Sequence, residues 1–464
     1  MEKNQEKKFT ILMFPWLAHG HINPFLELAK RLSKTRNFNI NLCSTPVNLD
    51  SIKTNIENDD GSITLVKLHM PSSPQLPPQL HTTKNLPSDL LPTLMHAFQD
   101  SSSSFSDIMD SVEPDLLIYD FFQPWAPKLA SSKGIPCVYF STSGAAPCSY
   151  YHHIYSTGTG STFPYKALCI PDEEIVKLRN KIAPNIKDAN NNKDFAFGNF
   201  SMSSEIVLVK SCREIEEKYI DYLSFLCKKK IVPTGPLHAC NNSECNDDDD
   251  DEIMKWLGGK SRGSTIYISF GSEIFLSKEQ IAEIAKGLQL CCVSFIWVVR
   301  SPVGAKETSI EDEGEWPVGF LETAKERGIL VNKWAPQGKI LRHPSIGGFV
   351  SHCGWSSVME SLYYGVPIIA MPMRAEQPIN AQLVVEGGVG VEVDKGGGEN
   401  GDYVGIEMAK AVNKVISEGD IGDGLRERAK RMGEKMKEKE DEEMNVVAEE
   451  LLRICCMKKN KNQE

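Results

Sequence analysis

The residues of this chain that could do chemistry are densest in the stretch from Trp334 to Gln377. Trp334 offers a flat apolar face on which a base can stack, and the amide of Gln337 can hydrogen-bond a ribose hydroxyl. Glu360 is a second acceptor for the ribose. At the end of the stretch, Glu376 and Gln377 carry the carboxylate and amide groups that suit paired hydrogen bonds with sugar hydroxyls. This order of side chains indicates a nucleotide-sugar site.

The middle of the same stretch can bind a diphosphate. Residues 351–354 (SHCG) leave a predicted strand, and a helix is expected to begin near Ser356. Backbone N–H groups at a helix N-terminus bind phosphate, and Gly354 lets the backbone come close. His352 adds a side-chain donor. Each of these residues alone has an ordinary structural explanation. The prediction of a nucleotide-sugar site therefore depends on the whole ordered set.

A candidate catalytic base lies near the N-terminus. Residues 15–24 (PWLAHGHINP) follow the first predicted strand, and a histidine at such a strand-to-helix turn faces the expected cleft. With an unperturbed pKa of about 6.5, it can take a proton from a hydroxyl at neutral pH. Both His19 and His21 are candidates from position alone. Asp120 ends a buried apolar strand and could orient the imidazole, although an Asp there is also a common helix N-cap.

Composition and missing motifs narrow the class of protein. The net charge of −11 argues against nucleic acid or an anionic membrane surface as partner. No G-x-G-x-x-G follows the first strand and no G-x-S-x-G elbow follows a predicted strand, which argues against a dehydrogenase and a hydrolase. No Cys or His spacing indicates a metal site. The aspartates at 247–251 suit a solvated linker better than a cation site.

Other features bear on the compartment. The first ten residues contain no long apolar run, and no run of about 18 apolar residues occurs, so we expect neither a signal peptide nor membrane insertion. The 13 cysteines are odd in number and irregularly spaced, which suits reduced thiols. We therefore expect a cytoplasmic protein, and we expect a monomer.

The elements that must position these residues follow from the apolar pattern. A chain of 464 residues exceeds a single core of about 250–300 residues, so two domains are expected. Strands alternating with helices predict an α/β fold of two Rossmann-like, doubly wound parallel sheets facing a cleft. The predicted strands are 9–14, 39–44, 116–119, 136–140, 265–270, 295–299, 329–331, 348–351 and 367–371. The predicted helices are 23–32, 278–290 and 356–364.

The expected domain boundaries follow the turn-rich and acidic segments. We expect residues 1–236 to form an N-terminal domain, residues 237–252 to form an acidic linker, and residues 253–440 to form a C-terminal domain. Residues 441–464, rich in Lys and Glu, are a C-terminal helix with a tail.

Residues 334–377 resemble the signature box of the plant family 1 UDP-glycosyltransferases. The resemblance extends over essentially the whole chain and includes Gly20-His21 and Asp120. It implies the GT-B fold, with the acceptor in the N-terminal half, the UDP-sugar in the C-terminal half, and the final helix packing back on the first domain.

The resemblance also implies roles for individual residues. Uracil stacks on Trp334 and bonds the Ala335 backbone, while Gln337 and Glu360 hold the ribose. The residues implied for the diphosphate are Ser272, His352, Gly354, Ser356 and Ser357. Those implied for the sugar are Thr142, Trp355, Glu376 and Gln377. His21 is the implied base with Asp120 as its partner.

Two positions depart from the family pattern. Ser356 stands where the family usually has Asn, and it keeps a hydroxyl but loses reach. Glu376 stands where Asp is frequent, and it keeps the acidic function.

The implied reaction is an inverting, metal-independent displacement in which an acceptor oxygen attacks the anomeric carbon of UDP-glucose and gives a β-glycoside. No cofactor beyond this co-substrate is expected. Arg374 leaves UDP-glucuronate as a minor alternative donor.

The acceptor is expected to be the sugar of a flavonoid, terpenoid or apocarotenoid glycoside, with 1→6 linkage as one option. Segments 14–21, 44–46, 81–83 and 122–127 resemble the sugar-extending branch of the family. Trp16 and Trp125 could stack on a sugar, or could simply pack. The alternatives are transfer to an aglycone hydroxyl or carboxyl, and a non-catalytic nucleotide-sugar binder.

Overall fold

The computed structural model describes residues 8–461 apart from 36, 57–61, 85, 158–161, 169–198, 239–247, 301–315, 398–401 and 418. The chain divides into two compact units. Unit 1 consists of Met1–Pro164, Ile170–Ala239 and Glu438–Glu464. Unit 2 consists of Tyr165–Cys169 and Cys240–Lys437. Each unit is built on its own parallel sheet.

Unit 1 contains seven parallel strands among the residues described. The strands are β1 (Phe9–Phe14), β2 (Phe38–Ser44), β3 (Ile63–Lys67), β4 (Leu116–Tyr119), β5 (Cys137–Ser141), β6 (Ile206–Val209) and β7 (Lys230–Pro233). Their order in the sheet is β3-β2-β1-β4-β5-β6-β7. The helices are α1 (His19–Lys34), α2 (Pro46–Ile52), α3 (Leu91–Gln99), α4 (Ser102–Val112), α5 (Trp125–Ser132), α6 (Ala145–Thr157), α7 (Asn199–Met202) and α8 (Arg213–Cys227). Short 3-10 turns occur at Lys53–Asn55, Pro78–Leu80 and Ser88–Leu90.

Unit 2 contains six parallel strands within the described ranges. They are β8 (Thr265–Ser269), β9 (Ser294–Val298), β10 (Gly328–Val331), β11 (Ile346–Ser351), β12 (Ile368–Ala370) and β13 (Gly390–Glu392), in the order β10-β9-β8-β11-β12-β13. The helices are α9 (Asp248–Gly258), α10 (Lys278–Leu290), α11 (Phe320–Arg327), α12 (Gln337–Arg342), α13 (Trp355–Tyr363), α14 (Gln377–Glu386) and α15 (Gly405–Ile416). The last helix, α16 (Asp420–Lys461), begins in unit 2 and ends in unit 1.

Strand register brings the candidate residues together at the carboxyl edges of the sheets. In unit 1, Phe14 of β1 pairs with Tyr119 of β4, so the segments after these strands start side by side. In unit 2, Ser269 of β8 pairs with Ser351 of β11 in the same way. Ligands of open α/β sheets bind at such edges.

The cores follow the alternation of side chains along the strands. In β8, Ile266 and Ile268 enter one buried cluster, whereas Tyr267 enters a second cluster on the opposite face. Both faces of the sheet are therefore covered, which is why these strands read as continuous apolar runs. The core of unit 1 includes Val447 and Leu451 from the end of α16.

Several predicted boundaries differ from the structure. Helix α1 begins at His19 rather than near residue 23, so both candidate histidines lie in its first turn. The predicted strand at 136–140 is shifted by one residue, to Cys137–Ser141. The strands predicted at 265–270 and 367–371 are shorter, Thr265–Ser269 and Ile368–Ala370. Ends of elements depend on capping and tertiary hydrogen bonds more than on the apolar pattern.

The acidic segment predicted as a linker is partly helical. Residues 239–247 lie outside the described residues, but α9 begins at Asp248, inside the predicted linker 237–252. Acidic residues are favoured in the first turn of a helix, and Ile253 and Leu257 bury its apolar side against unit 2. Likewise, the boundary predicted at 440/441 falls inside the single helix α16.

Candidate active site

In unit 1 the imidazole of His21 lies beside a buried carboxylate. His21 Nδ1 is 2.8 Å from Asp120 Oδ2, and Thr142 Oγ1 is 3.0 Å from the same ring nitrogen. The side chain of His21 is about a quarter exposed, whereas Asp120 is fully buried. This arrangement directs Nδ1 inward and leaves Nε2 as the ring nitrogen that can receive a proton.

The Asp120 carboxylate is fixed by backbone donors. Its Oδ2 accepts from Trp16 N at 2.9 Å, and its Oδ1 accepts from Phe121 N at 2.7 Å. The helix-cap alternative does not apply, because α5 begins at Trp125 with Pro124 as its N-cap. The carboxylate therefore joins the ends of β1 and β4 and holds His21, rather than capping a helix.

The two tryptophans near this site pack against other aromatic rings. Trp16 is 4% exposed, with the rings of Phe98 and Phe122 centred 5.0 and 4.8 Å away. Trp125 lies 5.5 Å from the ring of Phe105 in an edge-on contact. Their packing supports the structural explanation over a sugar-stacking role.

In unit 2 the ring of His352 lies between two glycines. A Cβ atom on Gly271 would be 2.8 Å from His352 Cε1, and one on Gly354 would be 2.4 Å from His352 Nε2. Burial, and then the charge of Arg374, lowers the pKa of His352 to about 4, so its ring is neutral at neutral pH. A neutral imidazole still offers one N–H donor. Ser272 follows Gly271 directly, in the loop after β8.

Helix α13 begins just after this histidine. Gly354 is its N-cap, and Trp355, Ser356 and Ser357 form its first turn. The first N–H groups of a helix have no partner within the helix, and they attract anions. Trp355, which was predicted to hold the sugar, is 3% exposed, so its ring is buried.

The predicted ribose residues meet in space. Gln337 Nε2 donates to Glu360 Oε2 at 2.6 Å and to Ser357 Oγ at 3.4 Å. Gly338 keeps this group close, because a Cβ there would be 3.0 Å from Glu360 Oε1. Ser357, predicted for the diphosphate, thus lies beside the ribose pair.

The predicted base platform is exposed on the surface of unit 2. Trp334 is 58% exposed, and the guanidinium of Arg300 lies over its ring, 6.0 Å from the centroid. Ala335 is buried, and its carbonyl accepts from Gln337 N at 2.8 Å. Arg300 is not among the site residues predicted from the sequence, and its only signal there is its position just after the strand β9.

The end of the stretch forms a tight turn before α14. Gln377 Oε1 accepts from Met373 N at 3.0 Å and from Arg374 N at 2.9 Å, which leaves its NH₂ group for another partner. Glu376 is the N-cap residue of α14. Arg374 donates to the carbonyl of Glu273 at 2.9 Å, so its charge has a partner within the unit.

Comparison with known proteins identifies the family. The family model "UDP-glucoronosyl and UDP-glucosyl transferase" matches residues 228–419, and the model "Glycosyltransferase, N-terminal domain" matches residues 7–239. The chain is 45% identical over 460 residues to UDP-glucosyltransferase 29 of Panax ginseng, covering 98% of this chain and 99% of the relative. The chain belongs to the UDP-glycosyltransferases. The prediction of the plant family 1 type from residues 334–377 is confirmed.

Two further comparisons add to this family assignment. Beta-D-glucosyl crocetin beta-1,6-glucosyltransferase of Gardenia jasminoides is 44% identical over 443 residues, covering 95% of this chain and 98% of that one. The crystal structure of Glycyrrhiza uralensis UGT73P12 complexed with glycyrrhetinic acid 3-O-monoglucuronide matches with a TM-score of 0.82 and 25% identity, covering 98% of each chain. The predicted GT-B class, with two Rossmann-like parallel sheets, is thereby confirmed. The enzyme is a UDP-glycosyltransferase.

No helix in the described part of the chain is long and apolar enough to cross a membrane.

Proposed function

We propose that this UDP-glycosyltransferase transfers glucose from UDP-glucose to a hydroxyl of a sugar already attached to a small molecule, forming a β-glycosidic bond. The observation that carries the acceptor class is the 44% identity, over nearly the whole chain, to an enzyme named for adding glucose to glucosyl crocetin. The UGT73P12 structure, complexed with glycyrrhetinic acid 3-O-monoglucuronide, is a second similar protein that holds a glycoside.

The proposed mechanism starts at His21. Asp120 and Thr142 lie against Nδ1, so Nε2 takes the proton from the acceptor hydroxyl. The oxygen attacks the anomeric carbon while the bond from that carbon to the UDP oxygen breaks. One displacement at an α-linked donor inverts the centre and gives a β-product. The imidazolium formed on His21 is stabilised by the Asp120 carboxylate.

The leaving diphosphate is held in this proposal by unit 2. The N–H groups of the first turn of α13, the neutral ring of His352 and the loop at Ser272 supply donors to its oxygens. Gln337 and Glu360 hold the ribose, Trp334 stacks on the base and Ala335 bonds its edge. Glu376 and Gln377 bind the sugar. The mechanism uses no metal.

Glucose is the proposed donor sugar. Arg374 is the one side chain in residues 334–377 that suggested a uronate, and it is bonded to Glu273 instead. Its guanidinium therefore already has polar partners within unit 2, which supports glucose over a uronate as the donor sugar.

Product mass spectrometry with paired acceptors tests the proposal. The enzyme is given UDP-glucose with an aglycone, and separately with the monoglucoside of that aglycone, using terpenoid, flavonoid and apocarotenoid pairs. We expect one added hexose on the monoglucoside and none on the aglycone, with fragmentation locating the new linkage on the first sugar. Addition to the aglycone alone would contradict the glycoside acceptor and leave the glucosyl transfer intact. Parallel reactions with UDP-glucuronate check the donor.

A further inference from the structure

The turn that carries the candidate phosphate-binding groups contains a strained residue. Cys353 has a φ of 61°, in the left-handed region that residues with a side chain seldom adopt, and it is fully buried. It stands between His352 and Gly354. Its conformation therefore sets the direction of both the imidazole ring and the first turn of α13. Such a conformation persists only where surrounding contacts hold it.

Two side chains hold the Cys353 backbone. Its N–H donates to Ser351 Oγ at 3.1 Å, close by in sequence. Its carbonyl accepts from Asn380 Nδ2 at 2.9 Å, across 27 residues of chain. Asn380 is fully buried, in the second turn of α14. The carbonyl of the strained residue is thus held by a side chain of α14, whereas the turn itself lies between β11 and α13.

The side-chain amide of Asn380 is buried, and its Oδ1 has no hydrogen-bond partner among the described residues. The bond from its Nδ2 to the Cys353 carbonyl is therefore the hydrogen bond that explains a buried amide at this position. This bond fixes the orientation of the amide, because a flipped amide would place Oδ1, an acceptor, against the carbonyl oxygen of Cys353. An unpaired buried oxygen has a cost, and an apolar residue of similar size would avoid it.

We propose that Asn380 is a positioning residue for the diphosphate of the donor. It does not touch the donor; it holds the Cys353 carbonyl, and so keeps His352 and the N–H groups after Gly354 aimed at the phosphates. Since α14 begins at Gln377, the same helix ties the phosphate turn to the predicted sugar-binding end. This inference rests on the proposed function, because it assumes that unit 2 binds a UDP-sugar.

Calorimetric titration with UDP and with uridine isolates the phosphate contribution. Asn380→Asp keeps the shape but, when ionised, cannot donate to the carbonyl; Asn380→Ala removes the donor without adding charge. For either variant we expect UDP affinity to fall at least about tenfold while uridine affinity stays within about twofold of wild type. Trp334→Ala is the matched control, since loss of the base platform must weaken both ligands.

A double variant guards against a general folding effect. Glycine adopts a φ of 61° without strain, so in Cys353→Gly the turn depends less on the hydrogen bond from Asn380. Adding Asn380→Ala to Cys353→Gly should weaken UDP binding less than Asn380→Ala does alone. Unchanged UDP affinity in the Asn380 variants, equal losses for UDP and uridine, or an undiminished effect in the glycine background would overturn the proposal. Failure of wild type to bind UDP would instead reject the proposed function.

Discussion

At the scale of single residues, the structure pairs Asp120 with His21, the histidine that the family resemblance implies as the base. Both His19 and His21 lie in the first turn of α1, two residues apart. Successive residues on a helix point in different directions. The Nδ1 atom of His21 lies 2.8 Å from Asp120 Oδ2, which fixes the orientation of its ring.

We expect His21→Ala and Asp120→Asn to lower kcat by about 10²- to 10⁴-fold, because general-base catalysis contributes a factor of this size. UDP affinity should be unchanged, since the predicted UDP-binding residues lie in unit 2. Steady-state kinetics and calorimetry with UDP check the two parts. His19→Ala is the matched control and should keep most of the activity. Equal loss of UDP binding in His21→Ala would mean that His21 is structural and that the base lies elsewhere.

At the scale of elements, two loops approach each other around His352. The loop after β8 contributes Gly271, whose φ is 77°, and the loop after β11 contributes Gly354. Both glycines are needed for space, since each Cβ would overlap the histidine ring. The pairing of Ser269 with Ser351 brings these loops to the same place along the sheet edge.

Gly354→Ala should weaken UDP binding at least about tenfold, equivalent to about 1.4 kcal/mol, because the new methyl group displaces the ring of His352. Calorimetry with UDP measures the loss. Gly258→Ala, at a glycine with open space around its Cβ position, is the control and should bind UDP as wild type does. Wild-type affinity in Gly354→Ala would show that the position of His352 does not matter for the diphosphate.

At the scale of the whole molecule, the chain returns to its first unit at the end. Unit 1 includes Glu438–Glu464, and Glu443 of α16 lies beside Glu214 of α8. Burial, and then the charge of Glu214, raises the pKa of Glu443 to about 8, with Glu440 and Glu442 adding to the effect. A raised pKa means that the folded state holds this proton more tightly than the unfolded chain does.

The stabilisation from this proton should therefore be complete below about pH 4.5 and lost as the pH rises towards 8. We expect Glu443→Gln, which stays neutral, to raise Tm more at pH 8 than at pH 5. Glu449→Gln changes the same charge at an exposed position of the same helix and is the matched control. Thermal melts at several pH values measure the effect. Parallel curves for wild type and Glu443→Gln would contradict a buried, protonated Glu443.

Much of this molecule could be predicted from local sequence. The apolar runs of β1, β4 and β8 predict buried strands, because strands covered on both faces need continuous apolar residues. The order of Trp334, Gln337 and the residues up to Gln377 indicates a nucleotide-sugar site, because each residue type suits one part of that ligand. The family follows from the same stretch, and the comparisons confirm it.

Other features depend on contacts between distant parts of the chain, and only the tertiary structure decides them. The strained turn at Cys353 is held by Asn380, and no local spacing predicts that bond. Arg300 reaches Trp334 because the strand that precedes it lies beside β10 in the sheet. The contact between His21 and Asp120, 99 residues apart, depends on the register of β1 with β4. The sequence gives the type of each side chain, but strand order and register decide which distant side chain it contacts.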